Sequence, residues 1–211
     1  MNEYSLEPLE TLPPLAVGDV RRIYEEGFPP YQRADFAEVS ERRRSDEFAL
    51  ALVREDQACG FAMLRSLGDT GWVYLRYFVV DRRLRGQGLG GVLWDQLTAR
   101  LRAAGFTLLV LDVDDPAEPG QQPAETAIRS RRISFYERHG ARLLPVTGYH
   151  TPHVAPHAGE PDWEPMLLMA ATLGGDPAGP RTRDVVDAVY RYRWQLDPGD
   201  PRLAGVLVNG E

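Results

Sequence analysis

Lysine is absent from the chain: all 24 basic side chains among its 211 residues are arginine. That absence excludes a Schiff-base enzyme and a P-loop NTPase, since both need an amine. Cysteine is nearly absent too, with Cys59 alone, so there is no intrachain disulfide and no multi-cysteine metal site, as expected of a reducing compartment. An excess of positive charge is also lacking. The 24 arginines face 31 acidic residues for a net charge of −7, which argues against nucleic acid or an anionic membrane as partner. No stretch approaches the roughly 20 apolar residues of a membrane-spanning helix. Near the start, Glu3, Glu7 and Glu10 stand where a signal peptide would carry basic residues and then an apolar run. The expectation is a cytoplasmic protein. A 43% hydrophobic and 26% charged composition is that of a globular chain, and the length suits one domain of about 150 to 200 residues plus an extension.

Residues 1–14 have room for one short strand before Pro13-Pro14 stops it. Helical spacing follows over 16–27, with Val17, Val20, Ile23 and Tyr24, and again over 33–44. Strand patterns occupy 47–54, 58–67 and 72–80, separated by turn-forming breaks, so an antiparallel meander is expected. Leu89, Leu93, Leu97 and Leu101 then mark an amphipathic helix that Gly105 stops. Residues 107–113 read as a strand covered on both faces. A proline-rich loop, a helix over 124–139, a strand over 141–149, a loop over 150–161 and a strand over 166–172 complete the pattern. A further helix is expected over 182–195, with a short apolar tail at 203–208.

The segment Val79-Val80-Asp81-Arg82-Arg83-Leu84-Arg85-Gly86-Gln87-Gly88-Leu89-Gly90-Gly91 is the most informative. Closely spaced glycines between a strand and a helix let backbone N–H groups converge on an anion at the positive end of the helix dipole. A phosphate-bearing ligand is the first hypothesis; the bland alternative is a tight turn with close packing. The arginines at 76, 82, 83 and 85 disfavour that alternative in an acidic chain. Gly86, Gly88 and Gly91 also match the dinucleotide fingerprint G-x-G-x-x-G, with Asp112 about 25 residues on. Against that reading, five mostly charged residues, 81–85, separate strand from first glycine, and the preceding strands form a meander rather than βαβ units.

Arg85-Gly86-Gln87-Gly88-Leu89-Gly90 resembles the (Q/R)-x-x-G-x-(G/A) signature of the GNAT superfamily of acyl-CoA-dependent N-acetyltransferases. The order of elements is similar to that family's. A second match is Ile133-Ser134-Phe135-Tyr136-Glu137-Arg138-His139-Gly140-Ala141, similar to the end of its fourth helix. The resemblance covers residues 15–173 and implies an α/β fold: a mixed, mostly antiparallel central sheet flanked by helices, with a C-terminal helical extension. It implies acetyl-CoA as co-substrate. Backbone groups of Phe78, Val79 and Val80 would take the pantetheine arm, on a strand that splays from the next. N–H groups of Arg85, Gly86, Gln87, Gly88, Leu89 and Gly90 would take the pyrophosphate.

By the same resemblance Tyr136 is the proton donor to the leaving thiolate, its alternative being a packed aromatic. Leu111-Asp112-Val113 resembles the Leu-Glu-Val of ribosomal-protein N-terminal acetyltransferases, which makes Asp112 the candidate base; a structural carboxylate is the alternative. The chain departs from the family at two positions. Arg76 stands where a glutamate is common, and Arg129 stands seven residues before the tyrosine, where an asparagine is common. If it faces the pocket, Arg76 would favour an acceptor bearing a carboxylate or phosphate, whereas the net acidity favours a cationic one. Tyr149 and Trp163 would wall the acceptor pocket. His150, His153 and His157 lie in a proline-rich loop without supporting ligands, and no metal is expected. Cys59 reads as a small buried residue.

These readings make residues 1–173 an acyltransferase domain and 174–211 a helix and tail packed on it, either closing the cleft or forming a homodimer contact. The expected reaction is direct acetyl transfer to a primary amine of a small molecule or peptide. The alternative is a catalytically weak acyl-CoA-binding regulatory module.

Overall fold

Pro14 sets where the first helix begins. The computed structural model describes residues 4–41, 43–152, 163–175 and 179–209. These residues fall into two compact units. The first takes its described residues from 4–65 and 75–104, the second from 66–74, 105–152 and 163 onward.

In the first unit β1 (Ser5–Pro8) ends before a helix, α1 (Pro14–Gly27), that starts on Pro14. Proline is tolerated there because the first helical N–H has no partner to lose. Ala16, Val20, Ile23 and Tyr24 form the buried stripe of α1. The helix expected over 33–44 is only α2 (Phe36–Ser40). Arg33 is instead extended, and its guanidinium donates to the carbonyls of Glu25 and Phe28 at the end of α1 (2.5 and 2.7 Å). Arg43 does the same for Val39 and Ser40. Both arginines that extended the helical pattern are spent on capping.

The strands β2 (Glu47–Arg54) and β3 (Gln57–Ser66) pair antiparallel, and β1 pairs antiparallel with β2. Glu55 and Asp56, both at positive φ, make the two-residue turn between β2 and β3, the geometry that suits a right-twisted hairpin. The next strand, β4 (Trp72–Val80), lies beside β3, and α3 (Leu89–Ala103) follows it. Tyr24, Phe61, Met63, Tyr77 and Val79 centre the core. Two tyrosines do more than fill space: Tyr24 Oη donates to the Ala34 carbonyl (3.0 Å) while Tyr77 Oη accepts its N–H (3.1 Å).

In the second unit the first three residues of β4 pair in parallel with β5 (Leu108–Asp114), from Trp72↔Leu108 to Tyr74↔Val110. α4 (Pro123–Arg138) follows. The strand expected over 141–149 is broken into β6 (Ala141–Leu143) and β7 (Val146–Thr147), because Pro145 can donate no ladder hydrogen bond and Gly148 turns the chain at φ +72°. β8 (His150–Pro152) and β6 pair antiparallel with β9 (Trp163–Thr172), which also runs antiparallel along all of β5. The sheet is thus mixed and mostly antiparallel, with helices on it in each unit.

α5 (Thr182–Ala188) continues as a π-helical turn, Val189–Arg193, and the tail forms a two-residue strand, β10 (Leu207–Val208), on β7. A helix as short as α5 is not stable alone. Val185, Val186, Val189 and Tyr190, all buried with Leu67, Tyr74, Leu108 and Val110, hold it in place, at about 1.5–3 kcal/mol of gross burial per side chain. No helix among the described residues is long and apolar enough to cross a membrane.

A Cβ on Gly148 would lie 2.4 Å from the Gly205 carbonyl oxygen, on a backbone already at positive φ. Gly148→Ala is therefore expected to destabilise the protein by about 2–4 kcal/mol, measured by urea denaturation; a loss below half a kcal/mol would contradict this packing.

Candidate functional site

The loop after β4 starts from a buried carboxylate. The Asp81 side chain is only 2% exposed. It accepts the Arg83 N–H (2.9 Å), the Arg83 guanidinium (2.8 Å) and the Arg22 guanidinium (2.9 Å). The Arg83 hydrogen bonds, with help from Arg22, hold its carboxyl well below the usual range. Beyond it Arg85, Gly86, Gln87 and Gly88 are all exposed. Gly86 and Gly88 have φ of +80° and +79°, and a Cβ on either would meet nothing within 4 Å. Close packing therefore does not explain these glycines; left-handed backbone does, and it leaves open space at the start of α3. Leu89 is buried and Gly90 half-buried in the first turn of α3. Arg82 pairs with Glu26 (3.0 Å).

Upstream on β4, Arg76 is committed: its Nη1 lies 2.6 Å from Glu47 Oε1, with both side chains largely buried. Arg65 pairs with Asp46 at 2.8 Å next to them. Glu47 shares its β2 face with Ala49 and Ala51, which pack in the cluster containing Tyr77. The Arg76 guanidinium also lies 5.5 Å from the ring centre of Tyr77. β4 ends with Phe78, whose ring meets Trp94 edge-on at 5.8 Å, Val79 and Val80.

In the second unit a half-buried carboxylate, Asp112 on β5, is ringed by tyrosines. Tyr74 of β4 pairs with Val110, two residues before Asp112 on the same strand. Tyr149 Oη lies 3.5 Å from Oδ2, the outer limit of a hydrogen bond. Burial pushes the Asp112 carboxyl above the usual range, against the pull of Tyr74 and of Arg193. Tyr136, on α4, is buried, and desolvation pushes its hydroxyl up to about 12, with Asp112 adding to the shift and Arg132 opposing it. Arg132 itself pairs with Asp114. Arg129 is held by Glu118 and Glu125 and by the Asp115 carbonyl (2.9 Å).

Trp163 opens β9 under the Arg202 guanidinium, 4.4 Å from its ring centre. His150 is exposed and bonded through Nδ1 to the Gly148 carbonyl (2.9 Å); His153 and His157 lie outside the described residues. Among the described residues no group of three or more His, Cys, Asp or Glu side chains could hold a metal ion. Cys59 is buried on β3, where desolvation pushes its thiol up, a poor state for a nucleophile. Tyr74, Arg193 and Glu47 were not singled out from sequence. Each sits in an ordinary strand or helix pattern, and only the topology gives it its neighbours.

A mixed sheet of this order with a glycine-rich loop between a strand and a helix defines an acyltransferase of the GNAT type. The family described as the acetyltransferase (GNAT) family matches residues 17–141, well over half of the chain, and the chain belongs to it. No curated protein matches the sequence. Among solved structures, a protein of Bacteroides thetaiotaomicron assigned to the same family is 21% identical with a TM-score of 0.67, covering 92% of this chain and 99% of that one. The ribosomal-protein-S18-alanine N-acetyltransferase of Escherichia coli is 17% identical, with a TM-score of 0.56 and coverage of 84% and 99%. An aminoglycoside 6'-N-acetyltransferase complexed with coenzyme A is 20% identical, with a TM-score of 0.60 and coverage of 82% and 99%.

The raised Asp112 carboxyl has a consequence for stability. Between the unfolded aspartate value, about 3.9, and its own raised value, the folded chain binds more protons than the unfolded one. Stability therefore falls as pH rises through that window, and the penalty is complete above it. Asp112→Asn removes the charge and keeps the shape, so the variant is expected to melt above the wild type near pH 8, with the gap closing toward pH 4. An Asn variant that melts lower at about pH 8 would show that the buried carboxylate is net stabilising.

Proposed function

We propose that this enzyme transfers the acetyl group of acetyl-CoA to a primary amine of a small molecule or peptide by direct attack, with no acyl-enzyme. One observation carries the reading: a single unit holds a carboxylate raised by burial, Asp112, and a buried tyrosine whose hydroxyl stays protonated, Tyr136. The first is a better base than an exposed aspartate, and the second is an acid at any working pH. The relatives that act on an alanine of a ribosomal protein and on aminoglycosides support an amine as acceptor.

Acetyl-CoA supplies an activated thioester. The open, positive-φ backbone at Gly86 and Gly88 fits a bound pyrophosphate, since nothing of the protein fills the space a side chain would take. Backbone N–H groups of residues 85–90 would hold it, with the Arg85 guanidinium adding charge. The three-pair ladder between β4 and β5 ends at Tyr74, so the peptide groups of Phe78, Val79 and Val80 lie outside that ladder and suit a pantetheine arm. Asp112 takes a proton from the acceptor ammonium, the amine nitrogen bonds to the thioester carbon as the carbon–sulfur bond breaks, and Tyr136 gives its proton to the sulfur; the second proton of the new amide nitrogen passes through solvent to restore Tyr136, and Asp112 releases its own to solvent. Tyr149 borders the acceptor beside Asp112. Arg76 can read an acidic group on the acceptor only by exchanging Glu47 for it. Residues 1–173 act as the acyltransferase domain with 174–211 packed on it, and the reaction belongs in the cytoplasm.

The test is thiol release from acetyl-CoA over a panel of amines. Wild type is expected to turn over at least one amine, and Tyr136→Phe to lower kcat by roughly 100-fold with the KM for acetyl-CoA little changed. Tight CoA binding without turnover on any amine would replace this reading with an acyl-CoA-binding regulatory module. Gly88→Ala is expected to cost only about 1–2 kcal/mol of stability but to weaken CoA binding by roughly tenfold or more, seen by calorimetry; unchanged affinity would remove the loop from the binding site.

A further inference from the structure

The last helix leaves the α path at Val189. The Trp194 N–H reaches back five residues to the Val189 carbonyl (3.2 Å), and that of Leu196 reaches Tyr190 (3.0 Å). Such wide turns are uncommon and recur where a side chain must be re-aimed. This one lies outside the residues matched by the family, yet it builds one side of the Asp112 environment. Tyr190 packs on Tyr149, their ring centres 5.3 Å apart, and its hydroxyl bonds both the N–H and the carbonyl of His150 (3.1 and 3.0 Å). The Arg193 guanidinium lies 3.9 Å from the Trp194 ring centre and 5.5 Å from that of Tyr74. Tyr74 in turn pairs with Val110, so Asp112, two residues on, lies on the same face of β5 as its ring.

We propose that Arg193 is a positioning residue for Asp112: it holds the Tyr74 ring in place through its planar face and supplies the positive charge that balances the carboxylate. The proposal rests on the reading of Asp112 as the base. The titratable groups facing Asp112 are Tyr74 of β4, Asp114 of its own strand, Tyr136 of α4, Tyr149 before β8, and Tyr190 and Arg193 of the π turn. All but one are neutral or negative, and the nearby cation on α4, Arg132, is paired with Asp114. A base must be ionised to accept a proton, while burial and Asp114 both work against ionisation here; Arg193 and the Tyr74 hydroxyl oppose them. Arginine suits the task because it stays charged and stacks on aromatic rings, which a lysine ammonium does not do equally well.

The experiment follows the Asp112 carboxyl carbon by NMR in the full chain labelled with 13C-aspartate, the resonance being assigned with Asp112→Asn. Arg193→Gln is expected to raise the midpoint of that titration by roughly one pH unit, and Arg193→Lys by less. Tyr74→Phe, which keeps the ring and removes only the hydroxyl, is expected to raise it as well. It serves as the second measurement should Arg193→Gln fail to fold. With an amine that the wild type acetylates, the acidic limb of kcat/KM is expected to move by the same amount. An unmoved midpoint in folded Arg193→Gln, or in Tyr74→Phe if that variant alone folds, overturns the proposal. A midpoint that moves while the acidic limb stays in place leaves the charge coupling standing and removes Asp112 from the role of base.

Discussion

The first unit depends on the Asp81 carboxylate. Taking a charge out of water costs several kcal/mol, offset here by two guanidinium groups and a backbone N–H. One of those groups comes from α1 and the other from the loop, and the Asp81 N–H itself bonds the Cys59 carbonyl on β3 (2.9 Å). The end of β4, the seating of α1 and the start of the glycine loop are therefore fixed at one point. A loop with two left-handed glycines would otherwise be loose. Anchored at Asp81, it leaves β4 from one fixed point.

A chain with arginine as its only basic side chain builds its buried contacts accordingly. Arg22, Arg65, Arg76 and Arg129 each pair with a carboxylate while mostly buried. Arg33 and Arg43 cap helix carbonyls, and Arg193 stacks on aromatic rings. All of these tasks use the planar, multiply donating fork, which a single ammonium cannot reproduce. The same groups keep their charge at any pH the protein meets.

Much of this was legible in the sequence where the signal is local. The strands 47–54 and 72–80 match their boundaries, and α3 follows its leucine repeat, because apolar periodicity and turn residues act over a few positions. The glycine loop was legible for the same reason: positive φ leaves its mark in residue type. Misreadings occurred where a distant contact decides. Pro145 and the close approach of Gly148 to Gly205 break a run that reads as one strand. Arg33 and Arg43 extend a helical pattern, yet they serve as caps. Asp112 stood out through a resemblance, but nothing local in the sequence marks Tyr74 or Arg193 as its companions, since three separate elements bring them together. Arg76 was noticed as a departure; that Glu47 answers it from β2 follows only from strand register.

Both units use tyrosine hydroxyls to hold the backbone of a single residue at both its N–H and its carbonyl. Tyr24 and Tyr77 do so at Ala34, and Tyr190 alone does so at His150. Just beyond His150, Pro152 pairs with Trp163 at the start of β9. With the His150 backbone held at both its N–H and its carbonyl, the register of β8 on β9 and the placement of neighbouring Tyr149 share one anchor on the last helix.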